Sequence, residues 1–476
     1  IGYLPQEIPV GNQNFFTIAL EEDTQTLDEI VVVGYGTQRK KDLTGAVASI
    51  GGDDIISRKT TQVSQALQGA IPGVMVTRNN NAPGSSATIR VRGVTTIGDT
   101  NPLVIVDGMQ VDNINDINPN DIDNISVLKD AASSSIYGSQ AAAGVILITT
   151  KRAKNGQFNI EYNYEYGMEI PTKNPEHVGV IRFMEMTNEL RWNDAGNGDN
   201  QYPTYSKDVI DNYFELNREN PNKYPNTDWL DLMLKSYAPR QSHIVKLSGG
   251  NEKIRTAASL AYDDIDALYE NRSYQRITAR INNDLKFNNY LSASLDVSYK
   301  RTIDKQPYEN PMHFTRISAP VYAATWTDGR IAEGKTGANI YAQTLYGGYK
   351  HYWYNQLNAR MSLDFTPLEG LKISGVFAPI MNDTKEKLWK KAVPWYDADD
   401  PSVLGGYTQW GSTTKLEEKR KDNYRLTTQF LVNYDKSISV HTFNIMGGYE
   451  NRYAFNEDLM ASRDQYELSS YPYLDM

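Results

Sequence analysis

The sequence predicts an α+β domain over residues 40–152, followed over 153–476 by long antiparallel strands of the kind that close into a membrane barrel. Three observations carry this. Short strand-like and helix-like apolar patterns alternate through 40–150. From Phe158 onward polar and apolar residues alternate, as in Ile160, Tyr162, Tyr164, Tyr166 and Met168 against Asn159, Glu161, Asn163 and Glu165. Clean alternation gives a strand one apolar and one polar face, and runs of about ten or more residues match barrel walls. Finally, no stretch approaches the roughly 18 apolar residues of a membrane helix, a feature β-barrels share. A soluble β-sandwich gives similar alternation in strands of about 5–6 residues, so run length favours the barrel.

Composition narrows the function classes. A net charge of −10 and a pI of about 5.2 over 476 residues count against nucleic-acid binding, whose footprint is a basic face. Absence of cysteine excludes a disulfide framework, thiolate metal sites and a Cys nucleophile. The 32 Tyr and 7 Trp, against 12 Phe, fit interfacial aromatic girdles and equally fit carbohydrate stacking.

In chain order, residues 1–26 alternate weakly through Phe16, Ile18 and Leu20, end in the acidic Glu21–Asp23, and read as the tail of a small β-sandwich. Leu27–Gly36 then places Asp28 and Glu29 ahead of the β-branched Ile30, Val31, Val32 and Val33, released by Gly34 and Gly36. That is one short strand. Followed by a turn rather than a hairpin partner, it suits lending its edge to another protein's sheet; an ordinary strand of the preceding domain is the alternative. Val63–Gly69 has helical spacing, Thr88–Arg92 alternates, and Leu103–Val106 ends in an Asp107-Gly108 turn. Asp121–Lys129 suits helix or strand, and Gly144–Thr150 a buried strand.

Alternation returns in Ile254–Tyr262, Ile277–Phe287, Leu291–Tyr299, Leu357–Phe365, Ile373–Phe377, Leu426–Tyr434 and Phe443–Tyr449, for roughly nine or ten wall strands. Asn288–Asn289 and Pro367–Gly370 are tight connections, whereas Pro171–Gln241, Arg301–Tyr352 and Asn382–Asn423 are long. Short turns on one side and long loops on the other are the barrel pattern. Val180–Trp192, Asp208–Leu216 and Trp229–Leu234 are helical patches inside the first long loop.

Catalytic and metal readings find little support. His177, His243, His313, His351 and His441 are isolated from one another. Gly34-Tyr35-Gly36 starts a dinucleotide fingerprint, but Arg39 stands where its third glycine belongs. Asp263-Asp264 and Asp399-Asp400 read as solvated loop tips, and Asp112–Asn124 lacks the glycine of a calcium loop. No enzyme activity, cofactor or metal is expected. Trp326, Trp389, Trp395, Tyr396 and Trp410, all assigned to long loops, are the candidate substrate contacts; aromatic rings there stack on sugars or mark the membrane boundary.

Four blocks carry a family resemblance: LDEIVVVGYGTQRKKDLTGAVASI (27–50), QALQGAIPGVMVT (65–77), ATIRVRGVTTIGDTNPLVIVDGMQV (87–111) and NPNDIDNISVLKDAASSSIYGSQAAAGVILITTKRA (118–153). In order and spacing they resemble the TonB box and plug of the SusC/RagA family of TonB-dependent outer-membrane transporters. The resemblance implies an α+β plug domain inside an antiparallel transmembrane β-barrel of about twenty-two strands, of which 153–476 supplies about the first half. It implies that 1–26 ends a carboxypeptidase-regulatory-like domain, that 27–39 is the TonB box and linker, and that the chain is processed or cut at its N-terminus and lacks the later wall. It further implies active import of a large nutrient across the bacterial outer membrane, an oligosaccharide favoured over a peptide. TonB would grip Asp28, Glu29 and Ile30 to Val33, a SusD-like lipoprotein would cap the barrel, and lipid would surround it, with no nucleic acid involved.

Within the plug, Arg90 and Arg92 beside Gly93 are expected to pair with Glu161 or Glu165. Asp107, Gly108, Lys129, Asp130, Tyr137 and Gly138 are expected structural or gating positions, Tyr137 burying against the wall and Gly138 allowing close backbone packing. Gln140 stands where the family often has Arg, so no ionic role is expected there. A passive porin or surface adhesin is the alternative, and a secreted carbohydrate-active enzyme a further one.

Overall fold

The structure is a computed structural model that describes residues 30–33, 36–39, 47–91, 93, 100–130, 134–156, 158–408, 411–438, 441–467 and 470–474. The expected sandwich tail at 1–26 lies outside them. The chain divides into two compact units: one up to Lys151 without Ala82–Gly84, the other made of Ala82–Gly84 and everything from Arg152 onward.

The first unit is α+β. Strand β1 (Ile30–Val33) folds back on β2 (Gly36–Arg39) with Val33 opposite Gly36 and Ile30 opposite Arg39. The sequence reading gave β1 no hairpin partner, and the structure corrects it. An extended backbone needs partners for its N–H and C=O groups, and the nearest extended segment supplies them on one edge. A five-stranded sheet follows in the order β3-β8-β9-β6-β7, with β3 (Val47–Gly51), β6 (Leu103–Val106), β7 (Met109–Val111), β8 (Ile122–Leu128) and β9 (Val145–Thr150). Only β6 and β9 run parallel. β4 (Val74–Arg78) and β5 (Ala87–Val91) make a separate hairpin.

Asp121–Lys129 resolves as the strand β8, lying between β3 and β9 with Ile125, Val127 and Leu128 fully buried. Burial on both faces removes the alternation that would have marked it as a strand. The helices Gly52–Ser57 and Val63–Ala66 bring Ile55, Val63 and Ala66 onto the sheet, where they share one core with Leu67, Ile122, Ile125 and Ile146.

The second unit is built on a nine-stranded antiparallel sheet. Its strands are β10 (Asn159–Glu169), β11 (Ala238–Gly250), β12 (Ile254–Asp266), β13 (Ser273–Lys286), β14 (Leu291–Pro307), β15 (Gly348–Leu368), β16 (Leu371–Lys390), β19 (Lys415–Ile438) and β20 (His441–Arg463). A loop hairpin of β17 (Pro394–Tyr396) and β18 (Leu404–Tyr407) stands apart. Each wall strand pairs with the next, so every connection is a hairpin. One face carries exposed apolar side chains such as Tyr299, Leu357, Met361, Phe377 and Phe430; the other buries Arg276, Asp296, Gln356, Asn382 and Gln429. This is the two-faced wall of a membrane barrel.

Strand lengths run from 11 residues in β10 to 24 in β19. They exceed the sequence expectation at the long-loop end, and the expected loops shrink to 170–237, 308–347 and 391–414. There both faces are charged and cross-strand ion pairs replace apolar packing. Lys421 meets Glu386 at 2.6 Å on one face, and Lys387 meets Glu418 at 3.1 Å on the other. With no apolar face, no period of two is left to read.

Candidate functional site

The N-terminal hairpin leaves β1 one edge without a strand partner among the described residues. In a hairpin closed by two residues, the pair flanking the turn exchanges hydrogen bonds, and bonded pairs alternate from there. Val33 and Val31 therefore bond to β2, and Ile30 and Val32 turn their N–H and C=O groups to the second edge. Asp28 and Glu29 lie outside the described residues.

Among the expected plug residues, Asp107 and Gly108 form the β6–β7 turn with φ of 48° and 84°. Two positive φ values define the type I′ turn that fits strand twist. Asp107 holds it by accepting from the Thr150 amide at 3.0 Å and the Thr150 hydroxyl at 2.7 Å. Lys129 donates from Nζ to the Pro72 carbonyl, and the Asp130 carbonyl accepts from Ser134 N at 3.1 Å and Oγ at 2.8 Å.

Arg90 donates to Asn101 Oδ1 at 2.8 Å, Glu165 takes Arg240 at 2.6 Å and Glu161 takes Lys246 at 3.3 Å. Arg92 lies outside the described residues, and Gly93 has φ 82°. Tyr137 packs against the unit's own cluster of Leu103, Ile105, Leu128, Val145 and Leu147. Gly138 has open space where a Cβ would stand; its φ of 64° with ψ of −151°, a region closed to other residues, is what requires glycine.

On the polar face of the second unit, carboxylates are buried with partners. Asp263, read from sequence as a loop tip, lies inside β12 at 2% exposure. It accepts from Arg276 Nε at 3.0 Å and Ser242 Oγ at 2.7 Å. Arg152, directly after β9, reaches Asp284 at 2.9 Å and Asp296 at 2.8 Å, carboxylates it shares with Arg255 at 3.4 Å and Arg360 at 3.7 Å. Toward the loops, Gln356 Nε2 donates to the Tyr354 hydroxyl at 2.9 Å, that hydroxyl to Asn382 Oδ1 at 3.1 Å, and Asn382 Nδ2 to Asn423 Oδ1 at 2.7 Å. Sequence reasoning missed these groups because they stand on different strands and only register brings them together.

The long loops form an ordered body. Helix Val180–Asp194 packs Val180 and Met184 on Ile210 and Tyr213, and helix Trp229–Met233 joins Ile340 and Ala324 of another loop. Burial pushes the Tyr213 phenol up to about 12, with Tyr205 and Tyr224 adding to it. Trp229 Nε1 donates to the Ala319 carbonyl at 3.0 Å, and Arg330 reaches the Asp397 carbonyl at 2.7 Å. Asp397 and Asp400 are solvated loop carboxylates whose pKa values are lowered by local donors: the Asp400 and Asp399 amides for the first, Ser402 for the second.

The aromatic candidates separate accordingly. Trp326 donates from Nε1 to the Tyr396 carbonyl at 2.8 Å, and both it and Trp395 are half-buried in the loop body. Trp389 is corrected: it ends β16 rather than lying in a loop, and at 2% exposure, its ring edge-on to Tyr466, it offers no surface to a ligand. Trp410 lies outside the described residues. Among those residues, no group of His, Asp and Glu is placed to hold a metal ion.

Comparison with known proteins agrees with this architecture. Residues 39–145 match the TonB-dependent receptor plug domain. The chain is 33% identical over 400 residues to TonB-dependent receptor P26 of Formosa agariphila, covering 81% of this chain and 38% of that protein. It is 35% identical over 306 residues to TonB-dependent receptor SusC of Bacteroides thetaiotaomicron, covering 60% and 28%. It thus spans well under half the length of these relatives. The solved RagAB peptide importer in its closed-closed state has the same fold, with a TM-score of 0.72 at 21% identity over 90% of this chain and 50% of that one. A matched plug followed by a wall with one apolar and one polar face places the chain in the SusC/RagA-type TonB-dependent receptors, β-barrel proteins of the outer membrane.

Proposed function

We propose that the chain is the plug and leading wall of an active importer, which carries a large nutrient across the outer membrane with TonB supplying the pull. The observation that carries this is a receptor plug and a membrane-type wall in one chain, preceded by a strand with one edge unpaired among the described residues. Strand addition to β1 would transmit force through main-chain hydrogen bonds, so extended geometry matters more there than any single side chain. A SusD-like surface lipoprotein is the proposed partner at the loop body, and an oligosaccharide the proposed cargo. Trp326, Trp395 and Tyr396 remain its proposed loop contacts. The machinery is binding and movement, with no covalent step.

Uptake of a labelled ligand by cells carrying the receptor, with and without a proton uncoupler, tests this directly. Uptake should stop on uncoupling while surface binding persists. Uptake that continues at its former rate would identify a passive pore.

A further inference from the structure

We propose that the apolar face of the wall seats one phospholipid whose head group carries a primary ammonium, in a groove at the loop-side edge of the apolar band. This goes beyond the import reading and needs only the membrane wall. Tyr299, Leu357, Met381 and Tyr424 stand side by side on β14, β15, β16 and β19. All four are exposed, and they line an apolar groove of about 340 Å³.

The groove sits where the hydrocarbon of a membrane would end. On β19 the side chains of this face run from Tyr434 through Val432, Phe430 and Leu426 to Tyr424. That ten-residue interval, at about 3.4 Å per residue and a tilt of about 40°, rises about 26 Å. A barrel's apolar band has about that height.

The next row toward the loops is polar: Arg301, Asn355, Asp383, Asp422 and Glu457. Asn355 joins it to the groove, accepting from the Tyr299 hydroxyl at 3.1 Å and donating to Asp383 at 2.8 Å. Asp383 stands opposite Asp422, in hydrogen-bonding contact, and Asp422 opposite Glu457. All three are exposed, with no cation in ion-pair range among the described residues. Like charges facing each other across strands destabilise a sheet. An ammonium relieves this, since its three N–H groups reach several carboxylate oxygens at once. Among the described residues no group of His, Asp and Glu is placed to hold a metal ion, which favours the ammonium over a divalent cation.

One row further out stand Lys385 and Arg420. Lys385 lies 5.2 Å from the Trp353 ring centroid, with no carboxylate in ion-pair range among the described residues. Arg420 shares Glu418 with Lys387, at 3.4 Å and 3.1 Å. These cations suit the phosphate of the same head group. A lipid carrying phosphate alone would meet the carboxylates at the groove's rim.

Native mass spectrometry of the full-length receptor tests this, after delipidation, with phosphatidylethanolamine, phosphatidylcholine and phosphatidylglycerol of the same chain length. One phosphatidylethanolamine should be held about fivefold more tightly than either other lipid. Asp383→Asn/Asp422→Asn should abolish that preference, and Met381→Trp, which fills the groove, should weaken retention with both carboxylates in place. All three positions are exposed, and an unshifted melting temperature shows that the variants fold. Equal retention of the three lipids, or a preference that survives Asp383→Asn/Asp422→Asn, would overturn the proposal. So would tighter retention of a phosphorylated saccharolipid that is lost on chelating divalent cations, because the acidic row would then be a metal bridge.

Discussion

Ile30→Pro should reduce uptake to the level of a cell without TonB while leaving ligand binding at the surface unchanged. Proline has no N–H and fixes its own φ, so it removes a donor from whichever edge it occupies. Alternation from the β1–β2 turn puts Ile30 on the edge that β2 does not use. The substitution therefore blocks an added strand without breaking a hairpin hydrogen bond. Gln38→Pro is the matched control, since Gln38 stands opposite Val31 in a bonded pair. It should weaken the hairpin, leave the second edge open and preserve uptake. Normal uptake by Ile30→Pro in a receptor present at normal surface levels would refute the role given to this edge.

The second large effect is on stability. Asp263→Ala should destabilise the wall by about 3–5 kcal/mol, the cost of breaking a buried ion pair by removing one partner. Arg276 is 1% exposed, and its guanidinium faces Asp263 at 2.8 Å. Removing the carboxylate takes this ion-pair partner from the buried guanidinium, and Ser242 loses its acceptor. The double variant Asp263→Ala/Arg276→Met removes both charges and should recover most of the loss, because well-packed apolar replacements of buried pairs are often neutral. Thermal unfolding of the detergent-solubilised receptor measures this. A single variant as stable as the double would mean that the pair is not isolated from solvent.

How much of this was legible in the sequence depended on what each residue faces. Leu291 to Tyr299 announced a wall strand because one side meets an apolar surface and the other does not. The extension of β16 through Lys385, Glu386 and Lys387 carries no such contrast, since neighbouring strands pair Glu386 with Lys421 and Lys387 with Glu418 and set the Trp353 ring beneath Lys385. Trp389 was misplaced for the same reason. β8 was ambiguous because it is covered on both faces. The helices Pro311–Ile317 and Ile340–Tyr346 did leave a signal, with Asn310 and Asn339 capping them and Pro311 at the first turn, but they are short and sit inside a long polar loop. Arg152 and the Gln356–Asn423 ladder were beyond reach, because their meaning comes from neighbours more than a hundred residues away or on other strands.

The most direct test uses the absence of cysteine from these 476 residues. Single cysteines placed at Ile30 and Val32, in a receptor otherwise intact, would be oxidised in living cells against a TonB carrying one cysteine in its partner strand. The account predicts a disulfide-linked receptor–TonB species at these positions and none from a cysteine at Ser57 on the first helix. No linked species at either strand position, in cells that import the ligand, would contradict it.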